Sequence, residues 1–204
     1  MRYYFMIRFL PSEANIPLLM GRCISTLHNY ISKNNIQGLG VNFPDWSTSS
    51  IGQVISFIHK DAETLDELKR QAYFIDMLDC GFFKTSETLL VPDTCQEIRF
   101  VRNQSISKLF QGSVKRRLKR LKKRAESQGR SFNPQKTIPP KEVDMFHRIL
   151  MSSSSNQQDF IIHIQKESYM EISTPCFNSY GLSTNQLLKG TVPDLSKLIL
   201  DNNF

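Results

Sequence analysis

Four histidines, a run of four serines and a decapeptide with eight cationic side chains are the parts of this chain whose types and spacing could do chemistry. A histidine accepts a proton near neutrality without help from its surroundings, and His28, His59, His147 and His163 are the candidates. His28 lies off the centre of an apolar helical stripe, towards an edge that could reach a cleft. His59 sits at a strand end, His147 stands beside Arg148, and His163 alternates within FIIHI, facing either core or cleft. The serines of MSSSS (Met151–Ser155) supply hydroxyls, although such a run reads equally as a loop. Acidic clusters at metal-ligand spacing are missing, which argues against a two-metal reaction. Cys23, Cys80, Cys95 and Cys176 are far apart and form no CxxC, so neither a zinc site nor a disulfide framework is suggested, and no cofactor is expected.

The decapeptide runs from Lys115 to Arg124 and comprises Lys115, Arg116, Arg117, Lys119, Arg120, Lys122, Lys123 and Arg124 around two leucines. No acidic residue interrupts it before Glu126, so ion pairs one helical turn apart cannot neutralise it, and its charges repel one another. A polyanion would recover that cost, releasing counterions and making affinity salt-dependent. The charge is also lopsided along the chain. Residues 1–100 carry 9 Lys/Arg and 11 Asp/Glu, a net of −2; residues 101–204 carry 17 and 8, a net of +9, which together give the +7 of the whole. Val114, Leu118, Leu121 and Ala125 leave one narrow apolar stripe by which such a helix could seat on the protein.

These observations favour a nucleic-acid partner for the second half, with RNA ahead of DNA. Apolar heptads that would extend into a dimerising zipper are missing beyond the short stripe. RNA can also be cut with little help: its own 2′-hydroxyl attacks the neighbouring phosphate. A protein then needs a proton acceptor, a group that orients the hydroxyl, and donors for the phosphate. A non-catalytic protein that only holds an RNA hairpin is the alternative.

The elements that would position these groups can be read from periodicity. YYFMIRF (Tyr3–Phe9) reads as a strand. Residues 15–35 follow as a helix with Leu19, Met20, Cys23, Ile24, Leu27 and Ile31 at helical spacing, Asn15 as its cap and Pro17 in its first turn. LGVNF and GQVISFIHK read as two strands, and residues 61–78 as one amphipathic helix capped by Asp61 or Thr64. TLLVP and QEIRFVRNQ supply further strand. The order strand, helix, strand, strand, helix, strand is the ferredoxin-like pattern, which also underlies an RNA-recognition module. The usual aromatic pair of that module is not evident, and FVRNQ is not its octapeptide. After the basic helix, residues 127–142 read as a loop, KEVDMFHRIL as a short helical piece, DFIIHIQKE as a strand, and residues 169–183 as a strand and turn. The expected fold class is α+β: an N-terminal ferredoxin-like domain over residues 1–100 and a C-terminal α+β domain over 101–204 that carries the arginine-rich helix. The apolar run before Pro11 is too short for a signal peptide and no stretch reaches membrane-span length, so a cytoplasmic protein without a membrane partner is expected.

Read together, YYFMIRFLP, the LH of the first helix, GVNFP, VRNQS, the arginine-rich helix, the serines before FIIHI, and SYGLS make the chain resemble the type I-F CRISPR pre-crRNA-processing endoribonucleases. The stretch KLFQGSVKRRLKRLKKRAESQGRSF is most similar to the branch found in transposon-associated CRISPR systems. The resemblance implies a metal-independent endoribonuclease that cleaves repeat hairpins in precursor transcripts and leaves a 2′,3′-cyclic phosphate. It would then stay on the hairpin as part of a type I-F surveillance complex, one that could target transposition. It also implies that the catalytic histidine is His28, the active-site serine Ser153 (counted back from Phe160, within the run 152–155) and the supporting tyrosine Tyr180. Arg102 and Gln104 would read guanine and adenine in the hairpin's major groove, and Lys115, Arg116, Arg117, Lys119, Arg120, Lys123, Arg124 and Phe160 would contact RNA. The chain departs from the family pattern at Leu121, where a second helix arginine is expected, and in its added C-terminal KLILDNNF.

Overall fold

The computed structural model describes residues 1–132, 143–152, 158–170 and 172–201. The first sheet is built around β1 (Tyr3–Phe9), which pairs antiparallel with β3 (Val54–His59) on one side and β4 (Phe83–Thr85) on the other. β2 (Gly40–Asn42) extends the β3 edge and β5 (Leu89–Leu90) pairs with the start of β1, so the strand order is β2-β3-β1-β4. Every residue of β3 is buried, as a strand covered on both faces requires. α1 (Ile16–Asn34) connects β1 to β2, and α2 (Ala62–Lys69) and α3 (Ala72–Asp79) connect β3 to β4. Phe5 and Phe57, opposite each other in register, pack beside Phe74 of α3.

The second sheet has the order β10-β6-β8-β7, formed by β10 (Val192–Pro193), β6 (Glu97–Arg102), β8 (Asp159–Met170) and β7 (His147–Ser152). β9 (Ser183–Thr184) adds parallel to β6. The basic helix α4 (Gln111–Ser127) follows a 3-10 turn at Ile106–Lys108, and α5 (Leu198–Asp201) ends the described chain. The two sheets share one core. Phe43 meets Phe100 edge-on at 5.0 Å, Trp46 packs on Phe100 and His147, Asn42 Nδ2 donates to the Pro193 carbonyl at 2.7 Å, and Arg2 pairs with Glu97. Among the described residues, no helix is long and apolar enough to cross a membrane.

The α+β class and most elements agree with the sequence reading, and four details differ. Residues 61–78 form two helices, because Arg70 closes α2 and Gln71 takes an extended backbone before α3. No glycine or proline marks that break, and Phe74 is the residue of α3 that is buried beyond it. The fourth strand of the first sheet is Phe83–Thr85. The longer EIRFVR belongs to the second sheet, where it begins before residue 100 and pairs with β8. HRIL is strand, not helix, since its alternating burial faces a hairpin partner. In the segment after β8, residues 172–182 form no strand. Residues 133–142 of the expected loop lie outside the described residues.

Candidate active site

His28 owes its place to how α1 is seated. Asn15 Oδ1 accepts from Leu18 N at 3.2 Å to start the helix, and Asn35, in the left-handed region at φ 52°, ends it. Gly21 lies two turns before His28 on the same face. A Cβ on Gly21 would lie 1.8 Å from the Leu150 carbonyl oxygen, so its absence is what lets the backbone of β7 close on the helix. The half-buried imidazole of His28 places Nδ1 3.2 Å from the Ser179 carbonyl oxygen. A carbonyl only accepts, so Nδ1 carries a proton, and in the neutral ring it is Nε2 that keeps the lone pair. The Tyr180 ring stacks on the imidazole, with centroids 4.5 Å apart and planes within 13°.

SYGLS (Ser179–Ser183) forms a tight loop that delivers both groups. Asn178 Oδ1 accepts from Tyr180 N and Leu182 N, and Gly181 N donates back to the Asn178 carbonyl. Gly181 sits at φ +70°, and a Cβ there would strike Val41 and Leu27, the residue before His28. Val41 N donates to the Gly181 carbonyl at 2.9 Å, which clamps the loop to β2. Downstream, β9 pairs with Val101 and Arg102 of β6. The guanidinium of Arg102 lies over the Tyr180 ring, 4.7 Å from its centroid, and its Nε is buried without a hydrogen bond among the described residues. His28, Tyr180 and Arg102 are thus brought into one stack. Gln104 is exposed and shares a cleft of about 280 Å³ with Arg102, Lys108 and His163.

Ser153 lies outside the described residues. Its neighbour Ser152 ends β7 and donates to Asp159 Oδ1 at 2.6 Å. Phe160 is half-buried opposite Met151 and packs against the core. The basic helix presents Arg116, Arg117, Lys119, Arg120 and Arg124 to one open groove of about 980 Å³, shared with Lys108. Lys115 and Lys123 are exposed but do not line it, and Lys122 pairs with Glu126 at 3.8 Å. One charge of the run thus finds a partner one turn on, contrary to the sequence reading, and the other seven find none among the described residues. The apolar stripe does not seat: Val114 is exposed, Leu118, Leu121 and Ala125 are only half-covered, and no described residue of α4 is buried.

The other histidines have structural partners. His59 is buried and uses both nitrogens, Nε2 donating to the Gln37 carbonyl and Nδ1 accepting from Asp61 N. His147 Nε2 donates to the Ser47 carbonyl at 2.8 Å, beside Trp46. His163 is buried between Phe110 and Phe146, and burial, then Arg148, pushes its pKa down. Among the described residues no group of three or more His, Cys, Asp or Glu could hold a metal ion. Sequence reasoning missed Gly21, Asn178 and the Ser179 carbonyl. A glycine inside a helix signals close backbone approach and could have found the first; an Asn two residues before a tyrosine in a turn signals the second; a carbonyl's direction leaves no trace in residue type.

The model of the family described as CRISPR-associated protein (Cas_Csy4) matches residues 4–195. No curated protein matches the chain. That match runs from β1 past β10 and takes in the histidine helix, the arginine-rich helix and the SYGLS loop, so the chain belongs to the Cas_Csy4 family, the type I-F pre-crRNA-processing endoribonucleases, RNA-binding nucleases of CRISPR defence.

Proposed function

We propose that the chain cuts CRISPR repeat hairpins without a metal ion, His28 acting as the base and the RNA supplying the nucleophile. Nε2 of His28 takes the proton of the 2′-hydroxyl just upstream of the cut. The freed O2′ attacks the adjacent phosphorus, and the bond from phosphorus to the 5′-oxygen breaks. That oxygen leaves with a proton taken from solvent, to which the imidazolium of His28 returns its own, giving a 2′,3′-cyclic phosphate on one fragment and a 5′-hydroxyl on the other. The single observation that carries this reading is the bond between His28 Nδ1 and the Ser179 carbonyl, with Tyr180 stacked on the ring: it fixes the tautomer in which Nε2 is free to accept. Tyr180 orients the imidazole, and Ser153 holds or polarises the 2′-hydroxyl.

Substrate recognition is divided in the same proposal. Residues 1–100 supply the base, and residues 101–204 supply the grip. Arg102 and Gln104 read a guanine and an adenine where the hairpin's end opens the major groove. The cations of α4 follow the phosphates, Arg116, Arg117, Lys119, Arg120 and Arg124 from the groove they share, with Lys115, Lys123 and Phe160 as further contacts. After cleavage the protein keeps the hairpin and caps a type I-F surveillance complex; the likeness of residues 108–132 to the transposon-associated branch extends the proposal to a complex that targets transposition. His28→Ala tests the core of it. Binding of the host repeat hairpin should stay within a few-fold while single-turnover cleavage falls by roughly 10²–10⁴, the usual worth of a positioned acid–base group. Full cleavage by His28→Ala would remove His28 as the base.

A further inference from the structure

α4 is a long lever with almost nothing along its length to hold it. Its seventeen residues carry the groove arginines, and no described residue of it is buried. From Gln111 to Arg124 the helix advances about 20 Å, so a tilt of about 10° at its base would move the Arg124 side chain by about 3 Å, enough to lose a hydrogen bond to phosphate. Whatever fixes that angle must act at the first turn.

The first turn is built for it. Asn103 N donates to the His163 carbonyl at 2.9 Å and Asn103 Nδ2 to Gln165 Oε1 at 2.6 Å, tying the approach to α4 onto β8. Ile106 of the 3-10 turn is buried. The residue at the helix N-cap is Phe110, extended at φ −71° and ψ 140°, with no side-chain capping hydrogen bond where Ser, Thr, Asp or Asn would ordinarily supply one. Its ring instead lies over His163, with centroids 5.4 Å apart and planes within 27°. Phe146 braces both rings edge-on, at 5.4 Å from His163 and 6.5 Å from Phe110. Arg148, opposite His163 in the β7–β8 register, carries its guanidinium 5.7 Å from the Phe110 ring. His163 is only 4% exposed, and its Nε2 is buried without a hydrogen bond among the described residues. Between the two phenylalanines the imidazole turns a flat face to the helix cap.

We infer that Phe110 and His163 are positioning residues: their stack sets the angle at which α4 leaves the second sheet, and through it the protein's grip on the hairpin phosphates. This rests on the reading of α4 as the phosphate-binding element. The seat uses a flat ring, not a proton, so phenylalanine at position 163 preserves it.

The test uses the full chain and a labelled repeat hairpin from the host locus, with the dissociation constant measured across a salt series and cleavage measured at saturating RNA. Phe110→Ala and His163→Ala should each weaken binding by about tenfold and flatten the salt slope, while the cleavage rate at saturation stays within about threefold. His163→Phe should restore both affinity and slope. Phe110→Leu, which keeps an apolar cap but no flat ring, serves if Phe110→Ala fails to fold, and should also bind weakly. Parental affinity and slope in the Phe110 and His163→Ala variants would overturn the inference. So would a His163→Phe variant as weak as His163→Ala, since the imidazole would then touch RNA directly. The triple variant Arg116→Gln, Arg120→Gln, Arg124→Gln separates the two levels. If it binds like the parent, the phosphate-binding reading of α4 fails; if it binds weakly and Phe110→Leu does not, only the seat fails.

Discussion

The two long helices are held in opposite ways. α1 is gripped from several directions: by β7, whose backbone touches Gly21, by the SYGLS loop, whose carbonyl holds His28, and by the Tyr180 ring. α4 projects its cations into an open groove and is seated at one end. The difference follows from what each must do. Proton transfer depends on atoms held to within a fraction of an ångström, so the residue proposed as base stands on the helix that is held from several sides. Attraction to a row of phosphates falls off slowly with distance and adds over many charges, so the helix proposed to supply it can stand in solvent.

Two single substitutions should expose this contrast most strongly. Tyr180→Ala removes the ring that holds the imidazole and should lower single-turnover cleavage by about 10²-fold, the scale of a small misplacement at a reacting centre. Arg120→Gln removes one charge among several and should cost only a few-fold in Kd. Cleavage by Tyr180→Ala at the parental rate would show that the stack is mere packing.

The same chemical change in each helix should have opposite signs. Gly21→Ala drives a methyl group into the Leu150 carbonyl and should destabilise the fold by about 1–3 kcal/mol, as overpacking does. Gly112→Ala places its Cβ where nothing lies within 4 Å, and should be neutral or stabilising by up to about 1 kcal/mol through helix propensity. Thermal melting of both variants checks this, and equal shifts would remove the contrast.

Much of this arrangement was legible in the sequence, for identifiable reasons. α1, with its Asn15 cap, and β1, β3 and β8 announce themselves by apolar spacing and β-branched content. α4 is written in its charge. His28 was one of four candidates by chemistry, and resemblance singled it out together with Tyr180 and Arg102, the residues now found in one stack. What stayed hidden is set by contacts distant along the chain. The break at Arg70 and Gln71 has no glycine or proline to mark it, the three-residue β4 is defined by pairing with β1, and the membership of EIRFVR in the second sheet is decided by β8. The Ser179 carbonyl could not be read at all, because any residue has one. The unseated stripe of α4 shows the converse: helical spacing of Val114, Leu118, Leu121 and Ala125 guarantees a face, but not a surface to cover it.

The smallest expected effect lies at the seat of α4. Burial, then Arg148, lowers the folded pKa of His163, so the unfolded chain takes up that proton first. The stability it contributes is therefore complete above the unfolded value and is lost as pH falls through that value toward the folded one. The parent protein should lose more melting temperature than His163→Phe between about pH 7.5 and about pH 5.5, with the other histidines common to both. Parallel pH profiles would mean that His163 titrates alike in both states.

The most direct measurement of the chemistry is single-turnover cleavage, in EDTA, of two repeat hairpins that differ only in one 2′-oxygen, that of the nucleotide just upstream of the cut. With His28 as base and the RNA as its own nucleophile, the ribo hairpin is cut to a 2′,3′-cyclic phosphate and a 5′-hydroxyl, and the 2′-deoxy hairpin stays intact though it binds equally well. Cleavage of the deoxy hairpin, or loss of activity in EDTA with a 3′-hydroxyl product once metal is restored, would contradict it.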